Sequence, residues 1–230
     1  MRLAALVSGG KDSIHAAALC ETHGWGVERL ITIVPDEKDS LLFHTPNLRW
    51  VPLIAEAWGK EHVIQKVSGK GEEAELLALK EALAPIVKER MVGVTAGAIA
   101  SSYQWARIWH VAHELGLEVY APFWRATPEE LLREEMRAGM DIRLIEVASE
   151  PLGEDLLGKR IDEDLLELLI RMDREVRSFH ISGEGGDYET MVMDAPFFSS
   201  RIDVQETHVE TSGGKSNWVI ERARLVSKDI

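Results

Sequence analysis

Leu3-Ala4-Ala5-Leu6-Val7-Ser8-Gly9-Gly10-Lys11-Asp12-Ser13-Ile14 passes from an apolar run through a glycine turn into residues with helical spacing, Ile14, Ala17 and Ala18. Strand, glycine turn and helix in that order make a phosphate-binding element. Glycine lets backbone approach an anion closely. The first N–H groups of a helix have no partner within it and can point at phosphate oxygens. Lys11 adds a full positive charge, while Asp12 would repel bound phosphates unless it holds Mg²⁺ or fixes the turn. A Walker A loop is excluded. That motif needs a glycine five residues before Gly10, where this chain has Ala5, and Ser or Thr after the lysine, where it has Asp12.

Outward from this turn, residues 1 to about 125 alternate strand and helix. Strands are expected at about 2–7, 27–34, 63–67, 91–95 and 117–120. Helices follow at about 11–23, through Ile54 to Trp58, along Leu76, Leu79, Leu83 and Ile86, and along Trp105, Ile108, Trp109, Ala112 and Leu115. Gly24 suits the end of the first helix, and 36–48 reads as a polar loop. Such alternation implies a parallel sheet with helices on both faces, with ligands at the carboxyl ends of the strands. Ser8, Thr32 to Pro35 and Thr95 to Ile99 lie at those ends. After Pro122 the pattern changes. Thr127-Pro128-Glu129-Glu130 is a helix start, with Thr as N-cap and Pro at the first helical position. A strand is expected at 141–147, a helix along Leu165, Leu168, Leu169, Met172 and Val176, and two strands, 202–209 and 217–226, around a hairpin turn at Thr211-Ser212-Gly213-Gly214-Lys215-Ser216. Gly213-Gly214-Lys215-Ser216 is not a second phosphate loop, because no helix follows. The expected division is 1–126 as a nucleotide-binding domain and 127–230 as a smaller α+β domain.

Composition narrows the function. The chain of 230 residues is 45% hydrophobic and can bury a real core. It has no apolar run of membrane-spanning length and no leader pattern, so a cytoplasmic protein is expected. Cys20 is the only cysteine, which excludes an internal disulfide framework and a cysteine metal cluster. Its place inside the first helix suits a buried thiol better than a nucleophile. Charge is uneven: 1–126 has 13 Lys and Arg against 15 Asp and Glu, whereas 127–230 has 13 against 24. An acidic second half disfavours nucleic acid as a partner. It reads either as a solubilising surface or as a face for a basic protein.

The second informative stretch is Gly183-Glu184-Gly185-Gly186-Asp187-Tyr188-Glu189-Thr190, followed by Met191-Val192-Met193-Asp194-Ala195-Pro196. Three carboxylates crowd a turn before a strand, and a folding turn does not need acids that repel one another. Such a group could bind Mg²⁺, position an ammonium or act as a base; a solvated acidic turn is the plainer alternative.

Ser8 to Ser13 resembles the pyrophosphate loop of the N-type ATP pyrophosphatases. Together with the glycine-rich acidic stretch and Asp194-Ala195-Pro196, the chain resembles the diphthine–ammonia ligase family. His44-Thr45-Pro46-Asn47, Gly97-Ala98-Ile99, Ser101, Tyr103-Gln104, Arg107 and Ala121-Pro122-Phe123-Trp124 resemble family motifs at matching places. Trp105 stands where a basic residue is common, and Asp187 where glutamate is usual. The resemblance implies a Rossmann-like sheet of the adenine nucleotide alpha hydrolase type. It also implies a reaction: the carboxylate of diphthine, a modified histidine on translation elongation factor two, attacks the α-phosphate of ATP, and ammonia then displaces AMP to leave the amide. On that reading Ser8, Gly9, Gly10, Lys11, Asp12 and Ser13 hold the pyrophosphate, and Asp12 reaches Mg²⁺. Backbone at Ile33, Gly97, Ala98 and Ile99 brackets the adenosine, and Tyr103, Gln104 and Arg107 face the same crevice. His44 is either a phosphate contact or a solvated loop histidine. Glu184, Asp187, Tyr188 and Glu189 hold the substrate or ammonium, with Glu184 and Glu189 serving the amide-forming half-reaction. Trp124 lies either against the substrate or in the core. The alternatives are a tRNA-thiolating ATP pyrophosphatase, which the single cysteine disfavours, and a non-catalytic adenine-nucleotide module, which Lys11, Asp12 and the acidic stretch disfavour.

Overall fold

Residues Arg2–Leu6 form the central strand, β1, because their alternation serves two cores at once. Leu3, Ala5 and Val7 face one side, while Ala4 and Leu6 face the other. A strand buried on both faces needs this continuous apolar run. The computed structural model describes residues 1–35, 47–97, 101–148, 152–176, 179–183 and 186–228. Strand β1 is followed by helix α1, Lys11–Thr22, then β2, Gly26–Val34, α2, Val51–Trp58, β3, Glu61–Lys66, and α3, Gly71–Lys88. Strand β4, Gly93–Ala96, helix α4, Ser102–Glu114, and β5, Glu118–Tyr120, complete the first sheet. Its order is β3-β2-β1-β4-β5 and its neighbours run parallel. The chain therefore winds outward in one direction from β1 to β3, then resumes on the other side at β4. The crevice between the ends of β1 and β4 is the switch point where such sheets take their ligands.

Helices α1 and α2 cover one face and α3 and α4 the other, as the alternation predicts. The second half follows with α5, Pro128–Arg137, β6, Asp141–Ala148, α6, Glu163–Glu175, β7, Tyr188–Asp194, β8, Ser200–Ser212, and β9, Lys215–Ser227. These strands form an antiparallel sheet in the order β7-β6-β9-β8. One apolar core runs through both halves. Leu3, Ile14, Val51 and Ile54 belong to it, and so do Ile142, Leu144, Leu169, Val192 and Ile220. No helix of the described residues is long and apolar enough to cross a membrane.

Three details differ from the sequence reading. The fourth strand is Gly93–Ala96 rather than 91–95; Met91 still bonds back to α3, its N–H donating to the Ile86 carbonyl at 3.1 Å. Thr127 occupies the N-cap place of α5, but its hydroxyl makes no capping bond. The hairpin strands run on to Ser212 and Lys215, so the turn shrinks to Gly213-Gly214. Both of its residues have positive φ, 62° and 82°, which suits the tight two-residue connection.

Candidate active site

The glycine turn delivers Lys11 to the first position of α1. Gly9 has φ +85°, and a Cβ there would lie 3.1 Å from Val51 and 3.2 Å from Ile54 of α2, so only glycine fits. Ser13 closes the turn: its hydroxyl donates to the Gly10 carbonyl at 3.0 Å and accepts from the Ser8 N–H at 3.3 Å. Gly97, just after β4, lies hard against the same turn. A Cβ on it would come within 2.5 Å of Ser13 N and 2.6 Å of Asp12 C. The ends of β1 and β4 thus meet at the switch point, with Gly97 and the loop in contact.

The Lys11 side chain does not reach into water. It is about 1% exposed, and Nζ donates to Asp12 Oδ1 at 2.6 Å. Burial works against its charge, but Asp12 and Glu135 outweigh burial and raise the Lys11 pKa. Glu135 comes from α5, is fully buried, and places Oε2 3.7 Å from Lys11 Nζ. That is too long for a hydrogen bond, and neither Glu135 oxygen has a hydrogen-bond partner among the described residues. Burial lifts its carboxyl well above the usual carboxylate range; Lys11 opposes the rise and Asp12 adds to it. The sequence reading missed Glu135. Its signal was its place on the apolar stripe of α5, four residues after Leu131 and three after Leu132, both buried.

Strand β7 borders this cluster with the end of the glycine-rich acidic stretch. The Lys11 backbone N–H donates to Thr190 Oγ1 at 3.2 Å, and the Val192 N–H donates to the Gly9 carbonyl at 2.9 Å. Tyr188, about 2% exposed, is close enough to feel Lys11, Asp12 and Glu135. Burial above all raises its phenol pKa, with Asp12 and Glu135 adding and Lys11 opposing. Its hydroxyl donates to the Ile181 carbonyl. The structure therefore divides the acidic stretch. Tyr188 and Thr190 go to the loop. Glu189 pairs in register with Glu146 of β6, whose carboxylate binds Lys215 at 2.8 Å. Asp187 accepts the His180 backbone N–H at 2.9 Å and so fixes the preceding turn. Glu184 lies outside the described residues.

The remaining described candidates come from other parts of the chain. Ile33 is buried beneath α3, with its backbone at the end of β2. Tyr103 and Arg107 of α4 converge on Glu72 at the start of α3, a partner the sequence reading also missed. Tyr103 donates to Glu72 at 2.7 Å and Arg107 at 2.8 and 2.9 Å, and the guanidinium lies 3.3 Å from the Tyr103 ring centroid. Hydrogen bonds from Arg107 and then Tyr103 hold Glu72 below the usual carboxylate range. The Gln104 N–H is capped by Ser101 at 3.3 Å. Trp124 stacks on Trp105, 5.3 Å between centroids, so each finds an aromatic partner. His44, Ala98 and Ile99 lie outside the described residues. Asn47 bridges to β9, donating to the Trp218 carbonyl at 2.8 Å. Cys20 is buried, and burial pushes its thiol up, which leaves it a poor nucleophile.

The profile described as the diphthamide synthase N-terminal domain matches residues 1–119, and that of the diphthamide synthase C-terminal domain matches 127–226. A diphthine–ammonia ligase of Homo sapiens is 34% identical over 228 residues, covering 91% of this chain and 85% of that protein. One of Danio rerio is 35% identical over 227 residues, covering 90% and 88%. One of Schizosaccharomyces pombe is 31% identical over 245 residues, covering 99% of this chain and 40% of the longer relative. Among solved structures, a chain titled a predicted subunit of tRNA methyltransferase from Methanocaldococcus jannaschii is 14% identical with a TM-score of 0.44, covering 85% of this chain and 99% of that one.

Proposed function

Since this chain belongs to the diphthamide synthase family, we propose that it is a diphthine–ammonia ligase, amidating diphthine on translation elongation factor two with ATP and ammonium. The observation that carries the reading is the meeting of its two motifs: Lys11 of the loop bonds Thr190 of the acidic stretch, 179 positions away. A phosphate loop and a carboxylate-rich stretch so joined suit a reaction that first activates an acid with ATP and then replaces the phosphate.

In the first step a carboxylate oxygen of diphthine attacks the α-phosphorus. The bond to the bridging oxygen breaks, and pyrophosphate leaves with the electron pair. Lys11 and the N-terminus of α1 offset the charge that grows on this leaving group, an interaction strongest in the transition state. The ammonium needs no proton adjustment, because Asp12 and Glu135 keep it charged. In the second step ammonia attacks the acyl carbon of the adenylate. The bond to the AMP oxygen breaks, and the nitrogen gives up a proton. Glu189, beside Glu146 and Lys215, and Glu184 are the acids proposed for the nitrogen and the substrate. Residues 1–126 are proposed to bind nucleotide and 127–230 to recognise the protein substrate.

Among the described residues no three His, Cys, Asp or Glu side chains gather as a metal cage. An ion carried in by the nucleotide needs only one or two protein carboxylates beside the phosphates, and Asp12 fits that part. When bound, Mg²⁺ would neutralise phosphate charge there.

The test supplies ATP, ammonium and elongation factor two bearing unamidated diphthine. The expected products are AMP and pyrophosphate, formed only when all three are present, with one amide per AMP. Stoichiometric ADP and phosphate, or AMP formed equally well without the factor, would overturn the assignment.

A further inference from the structure

Helix α1 begins without a cap of its own. Its N-cap residue is Gly10, which has no side chain to offer. The Lys11 N–H is among the groups that no helical carbonyl can satisfy. It is buried, and an unpaired buried N–H is costly. The acceptor comes from the other sheet: Thr190 Oγ1, 3.2 Å away, on a residue about 7% exposed. Three further contacts fix this pairing. The Val192 N–H holds the Gly9 carbonyl at 2.9 Å. A Cβ on Gly10 would stand 3.3 Å from the Thr190 carbonyl and 3.5 Å from its hydroxyl. Gly9 lies under Met191, 4.0 Å from where a Cβ would be. The edge of β7 thus carries the glycine turn, and a side chain at Gly10 would crowd Thr190.

We propose that Thr190 is a positioning residue of the nucleotide site: it caps α1 from the second sheet and sets the backbone of Lys11 against the leaving pyrophosphate. This rests on the reading of Ser8 to Ser13 as the pyrophosphate loop. Oγ1 accepts from the Lys11 N–H, and so directs the residue whose ammonium lies between Asp12 and Glu135. The nucleotide site is then a product of both sheets.

The experiment compares Thr190→Val, which keeps the shape and removes the acceptor, with Thr190→Ser, which keeps the acceptor and removes a methyl. Both are made in the full chain. Two quantities are read: affinity for inorganic pyrophosphate by calorimetry, and kcat and KM for AMP release. Thr190→Val is expected to weaken pyrophosphate binding and lower kcat by about tenfold or more, with a smaller change in KM for ATP. Thr190→Ser is expected to recover most of both. In a Lys11→Ala background, Thr190→Val should cost little further, because the hydroxyl acts through Lys11. A Thr190→Val protein with parental pyrophosphate affinity and kcat, or a Thr190→Ser protein as impaired as Thr190→Val, overturns the inference. If Thr190→Val does not fold, the Ser variant decides through the same two readings. A parent chain that binds pyrophosphate but makes no AMP would sink the ligase reading alone, and Thr190 would then be judged on pyrophosphate affinity.

Discussion

His15 lies one turn beyond Lys11 on α1, about 8% exposed and 5.0 Å from the Phe123 ring. Its Nδ1 has no hydrogen-bond partner among the described residues. Burial lowers its pKa, Lys11 adds to the fall, and Glu134 and Asp12 oppose it. The folded value therefore lies below the ordinary one of about 6.5 that the unfolded chain keeps. Above that value both forms are neutral and the stability is whole. As pH falls below it the unfolded chain takes up the proton first, and stability is lost until folded His15 also protonates. His15→Leu should narrow the loss of stability between pH 7.5 and 5, read as urea midpoints; an unchanged or steeper loss would place the titration elsewhere. Lys11 and Asp12 were legible in the sequence because their chemistry lies in a single local turn. Glu135 and Thr190 were not. Periodicity tells which face of α5 is buried, but not that Lys11 is what the face meets. Tyr188 was singled out, but its closeness to the loop depended on the lie of the whole strand β7.

Among the elements, the junction of β4 with α1 is a tight one. Gly97 touches the backbone of Asp12 and Ser13, not a side chain that could swing aside. Gly97→Ala must push the end of β4 away from the first turn of α1. Overpacking of this kind costs about 1–3 kcal/mol, so thermal stability should fall. AMP release should fall further than stability alone explains, because Lys11 stands on the displaced turn. Parental melting and rate together would contradict this placement. The alternation was readable because β1 and β2 carry apolar runs and a helix follows each of the first four strands. The hairpin of β8 and β9 was readable at its turn but not in its length. The distal half of β8 is exposed, so no burial pattern marks how far pairing continues, and register with β9 alone extends it.

For the molecule as a whole, the acidity of the second half is confined. Residues 127–199 have 19 Asp and Glu against 8 Lys and Arg, while 200–230 balance at 5 and 5. A protein substrate that works beside RNA presents basic surface, and opposite fields speed encounter but fade with salt. Affinity for the elongation factor should therefore weaken between low and high salt, while affinity for ATP changes less. A factor affinity indifferent to salt would leave the acidity as a matter of solubility. The shared core had no signature in the sequence. Each half shows apolar residues of its own, and only the packed chain reveals that Ile14 and Leu169 serve one interior.

The bond between Lys11 and Thr190 also has a place in time. A chain is made from its N-terminus at about 5–20 residues per second. The glycine turn therefore leaves the ribosome before its cap, which follows 179 positions later, an interval on the order of 10–40 s. Through that interval α1 begins on an unanswered N–H, and the apolar residues of α1 and α2 await partners still unmade. The nascent first half is thus a sheet without a finished nucleotide site. A nucleotide site that includes Thr190 is therefore complete only once β7 has been made.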